Sequence, residues 1–548
     1  MSELDRWTQP RTRRDILVAG GKLSLVLAGG SLLAACQTSP APSTSKTAKN
    51  TLVVAEPYVP QNLDREFGAG DPINQELNMQ MVEPLMEWKR KLRPDGAYDF
   101  DFSGYDPVLA QSWQVSADGR TCTFTLRQGV KSPKGNELTA EVLKWNYDRY
   151  FGLKGTGLFF MQVLNIASPD DVKIIDKYTI SLTSSKPSSL WLSVQPQHFL
   201  GPFDAVEYKS QATSSDPWAL EFGKQNIVGF GPYQIQSRIV GQQTVLIPNP
   251  NYWGKKPQFD QVIFKEVPQD AIRYSLLLSG DVDMARNLSF AQLAQLKGQS
   301  GVKVYDFLSS DLTEFPIQTE HQYLSDKRVR QAMAWALPYD QIIQNIYKGL
   351  ATQPFGPLPQ MFPGFDKTLW PYHQDLNKAK SLLSDAGLAN GFSTTITYAT
   401  GIPEDEPLVL LMQSAFKQVG INAELNKVTP SALSQNEFMG QFDIGLKHGG
   451  SNDPDQYYSY FLEYDKDSVI NYPRWKNDQV TSLIRQGLVS QDTQQRLRAG
   501  KQIQQTIIDE VPYLELGEAG IHWPVRSNVS GIFQRINREI VYADIVKT

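Results

Sequence analysis

Residues 109–131 read Leu109-Ala110-Gln111-Ser112-Trp113-Gln114-Val115-Ser116-Ala117-Asp118-Gly119-Arg120-Thr121-Cys122-Thr123-Phe124-Thr125-Leu126-Arg127-Gln128-Gly129-Val130-Lys131. Cys122, Phe124 and Leu126 alternate with threonines, the period-2 pattern of a strand with one buried face. Asp118-Gly119 provides a turn before that strand and Gly129 a second turn after it, so a hairpin is expected. The following Leu138-Thr139-Ala140-Glu141-Val142 starts a helix with Thr139 as its cap. On the buried face, Cys122 reads as a core thiol rather than a nucleophile.

Outward from the hairpin, Thr51-Leu52-Val53-Val54-Ala55 is a short apolar strand, and 73–88 carries Leu77, Met81, Val82 and Leu85 at helical spacing. From about 302 to 510 strands and helices alternate. Strands are expected at 302–308, 393–398, 421–428 and 442–446, and helices near 326–349, 375–386 and 404–419, with further helices running to 509. This alternation is the mark of an α/β lobe.

Several short motifs follow the hairpin in order. They are Gly229-Phe230-Gly231-Pro232-Tyr233, Asn249-Pro250-Asn251-Tyr252-Trp253-Gly254, Ser279-Gly280-Asp281-Val282-Asp283, Asp326-Lys327-Arg328-Val329-Arg330-Gln331-Ala332 and Gly356-Pro357-Leu358-Pro359. Together with residues 109–131, this ordered series closely resembles the family 5 extracellular solute-binding proteins, the dipeptide and oligopeptide receptors of ABC importers. Residue by residue, the motifs read as scaffold. Gly229, Gly231 and Pro232 set a turn, Arg328 and Arg330 are scaffold charges, and Asp281 and Asp283 diverge too far to form an acid–base pair.

The resemblance implies an α/β, two-lobed periplasmic-binding-protein fold, type II-like and of the large peptide-receptor cluster, with a hinge and an interlobe ligand cleft. It places lobe I at 51–305 and 512–548 and lobe II at 306–511. The chain crossings then fall near 305–309 and 511–516.

The N-terminus reads as an address. Arg13 and Arg14 precede a mildly apolar, glycine-containing run that ends in Leu33-Ala34-Ala35-Cys36. Basic, apolar and small residues in that order make an export signal over 1–35. The arginine pair resembles a twin-arginine motif, and the small residues before the thiol resemble a lipobox whose Cys36 becomes lipidated. A buried helix or an uncleaved single-pass anchor is the bland reading of the same run. Residues 36–50 then read as the lipidated cysteine and a flexible polar tether. The mature protein is expected to be exported, periplasmic or at the cell surface, and lipid-anchored to a membrane.

Composition bounds the rest. With 53 basic and 58 acidic residues among 548, the net charge is −5 and nucleic acid is an unfavourable partner. So long a chain is expected to form more than one core. If Cys36 is lipidated, Cys122 has no cysteine partner for a disulfide. No catalytic or phosphate-binding motif stands out, and the five histidines are not spaced as a metal pair. No cofactor and no metal site are expected, and no enzyme activity.

The resemblance directs attention to three segments. The first is the loop containing Phe67 and Asp71. The second contains Phe159 and Phe160. The third contains Lys447, His448, Gly450, Ser451 and Asp453. In many peptide receptors of the family, an Asp four residues before the Asp-Pro proline holds the peptide's α-ammonium; counting back from Pro454 reaches Gly450 here. Lys447 and His448 would suit an anionic or hydroxyl-rich ligand. Alternatively they face solvent or the core while Asp453 caps a helix beginning at Pro454. The expected function is capture of a small solute, a peptide or peptide-like compound, by a monomer that delivers it to an ABC permease and ATPase complex. A receptor for an oligosaccharide, opine or other amino-acid conjugate is the alternative within that class, and an exported lipoprotein hydrolase the alternative outside it.

Overall fold

The apolar stretch at 51–55 forms the strand Thr51–Glu56, hydrogen-bonded in parallel to Gln261–Glu266 on one side and Met284–Ala285 on the other. Gln243–Pro248 and Tyr233–Ile239 extend this sheet at one edge, and Ile521–Arg526 and Val302–Phe307 at the other, giving seven strands. The computed structural model describes residues 50–68, 71–536 and 539–548. The export signal expected at 1–35 with Arg13 and Arg14, Cys36 and nearly all of the tether lie outside the described residues.

The hairpin forms as expected. Ala110–Val115 and Thr121–Leu126 pair antiparallel with Trp113 opposite Phe124, and Cys122, Phe124 and Leu126 are fully buried. Gly119 adopts φ +68°, which glycine accepts without a Cβ penalty. The Thr139 side chain accepts a hydrogen bond from the Val142 N–H and caps the helix Ala140–Leu153. Burial pushes the Cys122 thiol up to about 12, as befits a packed, unreactive thiol. Thr179–Thr183 and Val172–Asp176 complete this four-stranded sheet, which shares one continuous apolar core with the seven-stranded sheet.

A second core is built around the parallel strands Ile421–Val428, Phe392–Ala399 and Ile444–Gly445. Helices Lys327–Ala336, Leu376–Asp385 and Asp405–Gln418 contribute to it. Two helices are shorter than the periodicity suggests. The expected 326–349 helix breaks at Pro338 after Ala336. The 73–88 pattern splits into the helix Pro72–Met81 and the strand Met86–Leu92, with Pro84 between them.

Two passages connect the lobes. Val302–Phe307 belongs to the seven-stranded sheet, and Asp311–Pro316 to a four-stranded sheet of the second lobe that also contains Tyr513–Ala519, Lys447–Gly450 and Ala351–Thr352. The chain therefore changes sheets at 308–310 and returns at Gly520. The return is a correction to the boundary at 511/512. Tyr513–Ala519 is buried through six of its seven residues, so the strand stays in the second lobe past the break at Pro512.

The ordered motifs knit each lobe internally. Gly229 and Gly231 lie against the end of the Pro72–Met81 helix, where a Cβ on Gly231 would stand 2.6 Å from the Met81 carbonyl carbon. The Tyr252 hydroxyl and Trp253 indole N–H both donate to the Glu83 carboxylate, at 2.6 and 2.8 Å. Burial outweighs these two bonds and raises Glu83 to about 7. Arg127, at the end of the hairpin, stacks 4.2 Å above the Trp253 ring. Asp283 accepts from the Val53 N–H and pairs with Lys547. Arg330 is buried and donates to the carbonyls of Leu324, Ser325, Glu510 and Val511.

The close approach at Gly231 is testable. Gly231→Ala is expected to destabilise the protein by about 1–3 kcal/mol through overpacking, read as an earlier transition in thermal melting. An unchanged melting curve would mean that the contact with Met81 is not tight in solution.

Candidate functional site

The two lobes meet along a seam stitched by hydrogen bonds, several of them between the loop at 188–197 and the helix Asp478–Val489 with the loop after it. The Ser189 N–H donates to the Leu488 carbonyl at 2.8 Å, the Ser189 hydroxyl to the Gly487 carbonyl at 3.2 Å and the Gln491 amide to the Ser188 carbonyl at 3.1 Å. The Gln197 amide donates to the Asn452 carbonyl. Beside the chain passages, the Ser310 hydroxyl donates to the Ile536 carbonyl at 3.3 Å.

Two cavities lie along this seam. One, of about 510 Å³, adjoins the passages and is lined by Phe100, Phe102 and Phe307 from the first lobe, Leu308 and Gly520 at the crossings, and Met361 and Glu518 from the second. The other, of about 400 Å³, lies between Trp88, Phe102, Tyr105 and Trp191 on one side and Asp455 and Arg496 on the other. Phe102 lines both.

The common wall is an aromatic ladder on the hairpin Met86–Leu92 and Tyr98–Pro107. Phe100 and Phe102 stack at 5.4 Å with an interplanar angle of 8°. Trp88 meets Phe102 edge-on at 5.2 Å and Tyr105 at 4.2 Å. Tyr105 in turn touches Trp113 of the hairpin at 6.4 Å. Every second residue along a strand faces the same side, so Tyr98, Phe100 and Phe102 form the wall. That alternation is the signal the sequence carries for this wall.

Each cavity carries charge at one end. In the smaller, the Arg496 guanidinium grips both Asp455 oxygens at 2.6 Å. In the larger, Asp306 is held by His522 at 2.6 Å and Lys297 at 2.7 Å, which keep its carboxyl below the usual range despite partial burial. Arg93 pairs with Asp95 and Asp99 and donates to the Asp306 carbonyl.

The nine residues expected to bind ligand do not line either seam cavity. Phe67 is half exposed and shares a separate hollow of the first lobe with Asp71, which caps the Pro72–Met81 helix and accepts from the Tyr58 hydroxyl at 2.8 Å. Phe159 is partly exposed, whereas Phe160 is core, stacked on Phe199. The first two segments do meet: the Glu66 carboxylate accepts from the Gly157 N–H at 2.8 Å.

In the third segment, Lys447 is buried between Glu314 and Glu463, at 2.5 and 2.7 Å. Burial works against its charge, but the two carboxylates outweigh burial and hold its ammonium protonated. Glu515 stands opposite Glu314 across the strand pair, and burial together with that neighbouring charge pushes its carboxyl well up. His448 binds Asp405 at 2.7 Å. Gly450 pairs with Asp311 in the strand ladder, and a Cβ there would stand 2.0 Å from the Ser310 carbonyl oxygen.

Asp453 does not cap the following helix. That helix is Gln456–Glu463, and its cap is Asp455, which accepts from the Tyr457 N–H. Asp453 is fully buried, accepts from the Asp455 N–H at 2.8 Å and is raised to about 8 by burial and then by the Asp455 charge. The Ser451 hydroxyl donates to the Asp453 carbonyl at 2.7 Å.

With this geometry established, comparison with known proteins is informative. The family described as bacterial extracellular solute-binding proteins, family 5 middle, matches residues 104–468. This chain belongs to that family. It is 29% identical over 487 residues to the "Probable D,D-dipeptide-binding periplasmic protein DdpA" of Escherichia coli K12, covering 88% of this chain and 91% of the relative. The periplasmic binding protein DppA of Helicobacter pylori, solved in complex with the peptide STSA, matches with TM-score 0.76 and 21% identity over 91% of this chain and 98% of that one. NikA of Brucella suis, solved with Fe(III)-EDTA, matches with TM-score 0.79 and 20% identity over 91% and 100%. The two-lobed periplasmic-binding-protein fold is thereby confirmed. Among the described residues, no helix is long and apolar enough to cross a membrane.

Gly450 yields a sharp prediction. Gly450→Asp is expected to disrupt the pairing of Lys447–Gly450 with Asp311–Pro316 and to lower the melting temperature, because backbone rather than a yielding side chain occupies the Cβ position. A stable variant with new ammonium affinity would show instead that position 450 opens into the seam.

Proposed function

We propose that this protein is the substrate-binding component of an ABC importer, which captures a peptide or peptide-like solute in the seam between its lobes and delivers it to a permease and ATPase complex. The observation that supports this reading best is the pair of seam cavities that share Phe102 as a wall. Their aromatic wall fits apolar side chains, and their charged ends fit the polar termini of a short extended molecule. The names of the relatives agree, since a D,D-dipeptide-binding protein and a peptide-bound receptor are among them. Lobe closure about 308–310 and Gly520 would bury the ligand, with the Ser188, Ser189 and Gln197 hydrogen bonds holding the far side of the seam shut.

The remaining parts follow from the N-terminal sequence. Residues 1–35 act as a twin-arginine export signal through Arg13 and Arg14, Cys36 carries the lipid, and 36–50 tethers a monomeric receptor to the membrane outside the cytoplasm.

Two measurements test this. In a thermal-shift panel, dipeptides and tripeptides are expected to raise the melting temperature, with stabilisation of about 2.7 kcal/mol at a hundredfold excess over Kd. Phe102→Ala should weaken that binding by about tenfold or more, as loss of a central aromatic anchor does. A response to oligosaccharides or opines with peptides silent would overturn the peptide reading. Separately, Cys36→Ser should leave ligand binding in solution intact and release the protein from membranes; retention of the variant would overturn the lipid anchor.

A further inference from the structure

Among the charged residues lining the larger seam cavity, Glu518 stands apart. It sits on Tyr513–Ala519, two residues before the chain starts its return at Gly520, paired with Leu312 on one side and Thr352 on the other. Only 2% of it is exposed to solvent. Its carboxylate accepts one backbone N–H, that of Gln360, at 3.1 and 3.3 Å. Burial raises its carboxyl to about 7, opposed by the backbone and side-chain bonds from Gln360, and among the described residues it makes no ion pair.

The other acids lining the cavity are already matched. Asp99 has Arg93, and Asp306 has both Lys297 and His522. A buried carboxylate served by neutral donors alone is costly unless a cation joins it. The same cavity presents Phe100 and Phe102, whose ring faces attract ammonium groups.

We propose that Glu518 is the ligand-binding residue that receives the ammonium group of the solute, at the hinge end of the seam, with Phe100 and Phe102 flanking it. This rests on the peptide-receptor reading and adds to it the group recognised and the residue that recognises it. The ligand's free amine then lies beside the second chain passage, and the remainder of the molecule runs past Phe102 toward Arg496. Binding a cation favours the ionised carboxylate, so capture releases a proton. Affinity consequently rises with pH from 5.5 to 7.5, until the ligand's own amine begins to lose its proton near 8. Arg93, Lys297, His522, Asp99 and Asp306 share the cavity, and their mutual pairing leaves Glu518 as the carboxylate that responds to the ligand.

The test uses an equimolar mixture of dipeptides built from Gly, Ala, Leu, Phe and Ser, and the same mixture N-acetylated. Each is incubated with the purified wild-type protein and with Glu518→Gln, and retained peptides are counted by mass spectrometry. Glutamine keeps an acceptor for the Gln360 N–H, so the loop stays in place while the charge goes. Wild type is expected to retain free-amine peptides about tenfold over acetylated ones, and more at pH 7.5 than at 5.5, while Glu518→Gln loses that preference and its pH dependence. Equal retention of both mixtures by wild type, retention of acetylated peptides alone, or an undiminished preference in Glu518→Gln overturns the proposal and leaves the peptide reading standing. Retention of neither mixture overturns both. The wild-type comparison decides even if the variant fails to fold.

Discussion

The structure depends on two stretches of backbone that run past each other between the lobes. Val302–Phe307 pairs antiparallel with Ile521–Arg526 in the first lobe, and Asp311–Pro316 pairs antiparallel with Tyr513–Ala519 in the second. Between these ladders, pairing lapses only at 308–310 and Gly520. A two-stranded ribbon hydrogen-bonded above and below a short unpaired gap resists stretching but yields to bending. The larger seam cavity sits directly against that gap, so the flexible element and the recognition surface share Leu308 and Gly520.

Several acids in the two lobes are held away from water. Glu83, Glu314, Asp453 and Glu518 are all held above the ordinary carboxylate range, chiefly by burial. Their surroundings separate their roles. Glu83 is satisfied by Tyr252 and Trp253, and Glu314 shares Lys447 with Glu463, which is the work of scaffold. Asp453 braces the loop that starts the Gln456–Glu463 helix. Glu518 combines burial, neutral donors from Gln360 and a position on a cavity wall.

Much of the scaffold was legible in the chain. The alternation at Cys122, Phe124 and Leu126, the Thr139 cap and the ordered glycine and aromatic motifs state local geometry that tertiary contacts merely confirm. Arg328 and Arg330 proved to be scaffold, as their helix position suggested. The site was far less legible, because its walls come from strands, loops and crossings hundreds of residues apart. Lys447 and Gly450 lie in a plausible segment yet turn into an ion cluster and a strand ladder. Proximity in sequence to a family motif says nothing about which side of a strand faces a cavity. Glu518 was hidden for a further reason: within Tyr513–Ala519 it looks like any acid on a buried strand, and only the cavity distinguishes it.

Phe102 has one more consequence. A single ring on one strand forms part of the boundary of both chambers, while the chambers' far walls belong to the other lobe. Any change that widens one chamber by trimming this ring also alters the other. The length of cargo accommodated and the end group recognised are therefore not independent variables on which selection can act. A lineage that shifts its preferred cargo at this position must change both together, or compensate from Met361 on the opposite lobe.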